Sequence, residues 1–150
     1  MNQGLRAWPI VVGLLVDLVG SLFLGVGYSI VKVGTNIAAG GGGAHQIVLT
    51  ATEYLIAAVL GLLLVVAGGY VAGRMARVRP VTHGLCVGIG ILLVTLIIEA
   101  LSPDPAAPFW FNVVSIVGVV PAATVGGRLA EKSTQADTPL QPTSGAGASS

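Results

Sequence analysis

Four long apolar runs decide what this chain can fold into. They cover about residues 8–30, 54–75, 83–101 and 109–128, and charged side chains make up only 9% of the sequence. Soluble domains carry about 25% charged residues, so a soluble fold would lack the polar side chains to cover this apolar surface. A helix crosses the hydrocarbon core with about 20 apolar residues, and its backbone groups must pair within the segment. The sequence predicts an all-α membrane protein with four transmembrane helices in one domain, residues 1–132.

The segments between and after the runs are typical of loops and a tail. Residues 31–52 include four consecutive glycines, each of which costs a helix about 1 kcal/mol relative to alanine. The motif Thr50-x-x-Glu53 is typical of a capping box that opens the second helix, whereas an earlier start would put Glu53 inside that helix. Residues 133–150 are mostly small or polar, which predicts a disordered cytosolic tail.

The basic residues predict how the helices are threaded, because short cytosolic loops of membrane proteins are enriched in Lys and Arg. Six basic residues lie before the first run, at or after the end of the second, or at or after the end of the fourth: Arg6, Arg74, Arg77, Arg79, Arg128 and Lys132. With both termini in the cytosol, all six are cytosolic and only Lys32 is outside. We therefore expect a multi-pass protein with N-in, C-in topology.

The cytosolic ends of the second and fourth runs resemble each other. Residues 68–76 read Gly-Gly-Tyr-Val-Ala-Gly-Arg-Met-Ala, and residues 122–130 read Ala-Ala-Thr-Val-Gly-Gly-Arg-Leu-Ala, so that Arg128 matches Arg74. The first and third runs match more weakly. This pattern predicts two helical hairpins arranged as a parallel repeat about an axis along the membrane normal. Duplication and shared packing demands both explain such a match.

Small residues recur at four-residue spacing, which allows helix backbones to approach closely in lipid. The pairs are Gly69 and Gly73, Gly84 and Gly88, Ala123 and Gly127, and Ser21 and Gly25. We expect the second and fourth helices to cross closely near the cytosolic face, with a dimer interface at the same motifs as the alternative. Arg74, Arg77, Arg79 and Arg128 follow as interfacial arginines that extend to the headgroups, or Arg74 and Arg128 form a paired anion site.

The order of these motifs resembles a known class of protein. The pattern Gly-Gly-Tyr-x-Ala-Gly-Arg-x-Ala is followed by His-Gly-Leu and by a second Gly-Gly-Arg-Leu-Ala. It is similar to that of small uncharacterised bacterial four-helix integral membrane proteins. The resemblance covers the four runs and implies the four-helix fold and a location in the bacterial inner membrane. It implies no activity.

Asp17 is the main candidate for a functional side chain. It lies about nine residues into the first run, where an ionised and unpaired carboxyl costs several kcal/mol. The segment Asp17-Leu18-Val19-Gly20-Ser21 is loosely similar to the first helix of small multidrug resistance transporters, four-helix proteins with an essential carboxylate there. The glycine-rich loop and the Gly-Arg repeats depart from that family. Either Asp17 relays protons or binds cations, or it bonds Thr95 or Ser115 and serves packing.

The other polar residues do not form a catalytic or metal-binding pattern. Glu53 is interpreted as a helix cap and Glu99 as interfacial, with a cation site shared by the two as an alternative. His45 and His83 lie on opposite sides under the predicted topology, and Cys86 is the single cysteine. We therefore expect no catalytic, cofactor or metal site, and a net charge of +1 with basic residues at membrane boundaries predicts no nucleic-acid partner.

Two functions are consistent with these patterns, and neither is enzymatic. The first is a structural or accessory membrane protein, such as a subunit of a larger assembly. The second is a small proton- or cation-coupled transporter or channel that acts as an oligomer through Asp17. The expected partners are the lipid bilayer and further copies or other membrane subunits.

Chemical labelling tests the predicted threading. In protein that carries Cys86→Ser, a cysteine at Ser144 should react with an impermeant maleimide only after spheroplasts are opened, because the tail is cytosolic. A cysteine at Pro105, between the third and fourth runs, should react in intact spheroplasts. Labelling of the tail cysteine in intact spheroplasts would contradict the N-in, C-in prediction.

Overall fold

The computed structural model describes residues 7–38, 49–76 and 79–136. Within these ranges the chain forms helices and no strand. The helices are α1 (Ala7–Ala38), α2 (Ala51–Ala76), α3 (Pro80–Leu101) and α4 (Phe109–Ala136). Each of these four helices is long and apolar enough to cross a membrane. The predicted all-α fold is confirmed, and the architecture is that of a multi-pass membrane protein.

Two helices extend beyond the predicted apolar runs. α1 continues to Ala38, where the sequence predicts a loop from residue 31, and α4 continues to Ala136, so residues 133–136 are helical instead of disordered. Side-chain hydroxyls in these extensions donate to backbone carbonyls of the preceding turn, as Ser133 does to Leu129 at 3.0 Å. The four glycines, His45, Arg77 and the rest of the tail lie outside the described residues.

The capping box at the start of α2 is confirmed. The backbone N–H of Thr50 donates to Glu53 Oε2 at 2.7 Å, and the backbone N–H of Glu53 donates to Thr50 Oγ1 at 3.4 Å. The helix begins at Ala51, which makes Thr50 the N-cap residue. Glu53 also forms an ion pair with Lys32, so the same carboxylate ties α1 to the first turn of α2.

The helices alternate in direction. Four close approaches give their relative directions: Gly13 with Val87, Leu14 with Gly90, Leu62 with Gly118, and Gly73 with Gly127. From one contact to the next between the same two helices, the residue numbers increase on both helices. Therefore α1 runs parallel to α3, and α2 runs parallel to α4. α1 and α4 each pack against both α2 and α3. The result is an up-down bundle with α2 and α3 at its centre.

The closest packing lies at one end of the bundle, where α2, α3 and α4 meet. A Cβ atom added at Gly69 would collide with the carbonyl oxygen of Ala123, and one at Gly126 with the carbonyl oxygen of Val66. At Gly84 an added Cβ would lie 2.6 Å from the same oxygen of Ala123. All six predicted packing residues are buried at this end: Gly69, Gly73, Gly84, Gly88, Ala123 and Gly127.

The other end of the bundle is much more open. Cβ atoms added at Gly25, Gly27 or Gly61 would meet no atom within 4 Å. Ser21 and Gly25 are both exposed, and Gly25 meets no helix in the described part of the chain, so a dimer interface at this pair stays a prediction. Spacing of small residues makes close approach possible, but a neighbouring helix must also lie at the right distance.

Hydrogen bonds hold the residue before α3 and the connection between α3 and α4. Before α3, Arg79 adopts a left-handed conformation with φ 51°, and its carbonyl oxygen accepts from the backbone N–H of Thr82 at 3.1 Å. Between α3 and α4, Asp104 accepts a hydrogen bond at 3.0 Å from the hydroxyl of Tyr54 on α2. The Tyr54 ring also packs on Phe111, with centroids 5.1 Å apart, so this connection is fastened to the start of α2.

The crossing of α2 and α4 predicts opposite effects for two alanine substitutions in the same helix. Gly69→Ala should lower the free energy of unfolding by about 1–3 kcal/mol, because its new methyl group would collide with the backbone of Ala123. Gly61→Ala is the matched control, and its methyl group enters open space, so stability should be unchanged or higher. Melting of the detergent-purified variants measures both, and equal melting temperatures would contradict the close crossing.

Candidate functional site

A cavity of about 280 Å³ opens among the helices just beyond the close crossing. All four helices line it. Its closed end is formed by the buried residues Val65, Ile91 and Val119. The α2 side is entirely apolar: Ala57, Ala58, Gly61, Leu62 and Val65. The other three helices each supply two polar residues, and the lining is mostly apolar, with polar groups on three sides.

The polar groups come as one pair from each of three helices. The pairs are Asp17 and Ser21 on α1, Thr95 and Glu99 on α3, and Asn112 and Ser115 on α4. Residues three or four apart lie on one face of a helix, so each pair turns one polar face toward the cavity. Three helices that are otherwise apolar at this depth therefore direct their polar side chains to one place.

Asp17 is the most deeply buried member of this group. Its side chain is 8% exposed, and its buried Oδ1 atom has no hydrogen-bond partner among the described residues. The packing interpretation requires a hydrogen bond between Asp17 and Thr95 or Ser115. Both residues line the same cavity, but neither is bonded to Asp17 Oδ1. A buried polar atom without a partner costs about 1–3 kcal/mol, so packing alone does not explain this carboxyl.

The helix contacts give the order of the polar groups along the cavity. Leu14 lies against Gly90 and Gly13 against Val87, which puts Asp17 about level with Leu92 on α3. Glu99 then lies about seven residues farther along, or about 10 Å at 1.5 Å per residue. The hydroxyl-bearing side chains fall between these two levels. The cavity therefore has a carboxyl at its inner end, hydroxyls in the middle and a second carboxyl toward its mouth.

The placement of Glu99 corrects the sequence interpretation. The hypothesis of a cation site shared by Glu53 and Glu99 is wrong, because Glu53 binds Lys32 and Thr50 and lines a different cavity. Glu99 lines the same cavity as Asp17 instead. A signal was present in the sequence, since Thr95 and Glu99 on α3 repeat the four-residue spacing of the α1 pair.

A second cavity of about 580 Å³ lies between α1 and α2 toward the open end. Its lining is mostly apolar, including Phe23, Leu24 and Leu60. Tyr28 and Glu53 also border it, and the Lys32 ammonium lies 5.8 Å from the centre of the Tyr28 ring. This groove has the character of a surface for acyl chains or another helix, not of a site for a charged ligand.

The arginine candidates lie at the closely packed end. Arg74 is exposed, and its Nη1 donates to the hydroxyl of Tyr70 at 3.2 Å. Arg79 and Arg128 are also exposed, and Arg77 lies outside the described residues. Exposed arginines at helix ends are suited to reach lipid headgroups.

The described residues contain no group of three His, Cys, Asp or Glu side chains placed to hold a metal ion. No known family model matches the chain, and no curated protein or solved structure is significantly similar to it. The interpretation of the polar cavity therefore depends on its own geometry.

The missing partner of Asp17 makes a prediction about stability. In buffer without alkali metal cations, Asp17→Asn and Asp17→Leu should melt at the wild-type temperature or above, because no hydrogen bond is lost and a buried carboxyl is removed. Tyr54→Phe should have a lower melting temperature, with a free energy of unfolding reduced by about 1 kcal/mol, because it loses the hydrogen bond to Asp104. A large loss of stability in Asp17→Asn would show that the carboxyl has a structural role.

Proposed function

We propose that this protein is a small membrane transporter or channel that moves protons or monovalent cations, with Asp17 as its central group. The observation that carries the proposal is a buried carboxyl with an unpartnered oxygen, facing a polar cavity among four apolar helices. Carboxyl groups within membrane helices are costly, and they commonly mark ion pathways and proton relays.

The distribution of polar groups supports this proposal over a purely structural role. Large apolar side chains such as Leu22, Phe23 and Leu63 are exposed along the helices and suit contact with lipid. The polar pairs line a space too large to be filled by their own side chains, with Ser21 at its exposed edge. Packing would be served better by apolar residues at these positions, since they need no hydrogen-bond partners.

The threading of the helices is part of the proposal. With N-in, C-in topology in the bacterial inner membrane, the closely packed, arginine-bearing end is cytosolic and the mouth near Glu99 faces outward. The parallel direction of α1 with α3 and of α2 with α4 is what a parallel repeat of two hairpins requires. A cavity that reaches one side must open on the other to complete transport, so the crossing at Gly69 would be the closed gate of this state.

An accessory function is the second candidate, and one observation favours it. The outer half of α1 has exposed glycines at Gly25, Gly27 and Gly34 that touch no other helix. Such a face accommodates a helix of another subunit or another copy of the chain. In that case Asp17 would serve assembly, and the isolated protein would conduct nothing.

Reconstituted protein separates the two functions. In liposomes that contain a pH-sensitive dye and carry a potassium diffusion potential, wild-type protein should dissipate an imposed proton or cation gradient. Asp17→Asn should reduce this flux by about tenfold or more, because an amide neither releases a proton nor balances a cation. Glu131→Gln, which changes an exposed carboxyl outside the cavity, is the control and should retain wild-type flux. Wild-type flux no greater than that of empty liposomes would refute transport and favour the accessory function.

A further inference from the structure

We infer that the polar cavity is a binding site for an alkali metal cation, Na⁺ or K⁺, with Asp17 as the inner carboxylate and Glu99 as the outer one. The inference deepens the proposed function, because it names the ligand of the site on which that function rests. It combines the unpartnered Asp17 with the second carboxyl and the neutral oxygens that line the same cavity.

Six of the residues that line the cavity carry side-chain oxygens of the kind that bind hard cations, and the others are apolar. Between the carboxyls lie the hydroxyls of Ser21, Thr95 and Ser115, and Asn112 adds an amide oxygen near the mouth. Alkali cations are bound through oxygen atoms, as other hard cations are. In the described part of the chain the lining includes no Lys, Arg, His, Cys or Met, so it offers neither a competing positive charge nor a soft ligand.

The separation of the carboxyls favours a monovalent cation over a divalent one. The backbones of Asp17 and Glu99 lie about seven residues, or about 10 Å, apart along the helix direction, which places the two carboxyls at different depths of the cavity. Divalent calcium and magnesium sites usually use several carboxylate oxygens at one point. One carboxylate and one monovalent cation form a neutral pair, which costs far less within a bilayer than an unbalanced charge.

The size of the cavity allows a cation to keep part of its water shell. Water occupies about 30 Å³ per molecule in the liquid, so about 280 Å³ holds a cation with several waters. Glu99 is partly exposed where the cavity widens, and Asp17 is buried at the closed end. An outer carboxylate raises the local concentration of cations at the mouth, and the inner one receives the cation after it has lost water.

Thermal stability in different salts tests the site without any need for transport. At equal ionic strength, NaCl or KCl should raise the melting temperature of the detergent-purified wild-type protein above its value in choline chloride. A ligand that binds only the folded state stabilises it by RT ln(1 + L/Kd), where L is the concentration of free ligand. The salt-specific shift should vanish in Asp17→Asn, and in Glu99→Gln its half-maximal concentration should rise by about tenfold. Glu131→Gln should retain the wild-type shift.

The outcomes distinguish this inference from the proposed function. If no alkali salt shifts wild-type melting while Asp17-dependent proton flux persists, the cation site is refuted and the transport function stands. If the shift is present but liposomes show no flux, the site stands and transport is refuted. A shift that survives in Asp17→Asn, or is unchanged in Glu99→Gln, refutes the role assigned to that carboxyl.

Discussion

The close approach of helix backbones at Gly69, Gly84 and Gly126 is the interaction on which the rest of the structure depends. Apolar side chains gain nothing by leaving lipid for one another, so helices associate in a bilayer through dispersion contacts and polar bonds. Here glycine lets the carbonyls of Ala123 and Val66 reach the neighbouring helix. One end of the bundle is therefore held by backbone packed on backbone.

The open end follows from this arrangement. Toward the other end the helices approach less closely, as the open space at Gly25 and Gly61 shows, and the cavity with the polar groups lies between them. Burial of Asp17 without a partner lowers stability, and the close packing below it offsets that loss. The same division separates a closely packed part, where an added Cβ would meet backbone atoms, from a part with room for a ligand.

The sequence predicted the features of this structure that depend on residues close together in the chain. The four spans follow from hydropathy over about 20 residues, and the capping box at Thr50 depends on side chains three residues apart. The length of α1 was underestimated, because Lys32 and the glycines around it resemble a loop until the ion pair with Glu53 is known.

The candidate site was predictable only in part, because local signals identify single residues but not which residues of different helices lie together. Asp17 stands out as a carboxyl within an apolar run, whatever the neighbouring helices do. The position of Glu99 depends on how α3 is rotated and shifted against α1, which only contacts such as Leu14 with Gly90 determine. The spacing of Ser21 and Gly25 likewise does not determine whether a helix lies opposite them.

The depth of Asp17 has an electrical consequence. Ten residues separate it from Ala7, the first residue of α1, which is about 15 Å of helix or half the thickness of the hydrocarbon core. A charge that moves between one surface and this depth crosses about half of the membrane voltage, worth about 1 kcal/mol per 100 mV. Under the proposed function, occupancy of Asp17 by a proton or cation would therefore vary with the membrane potential, and an energised membrane would fill or empty it without any change in the solutions on either side.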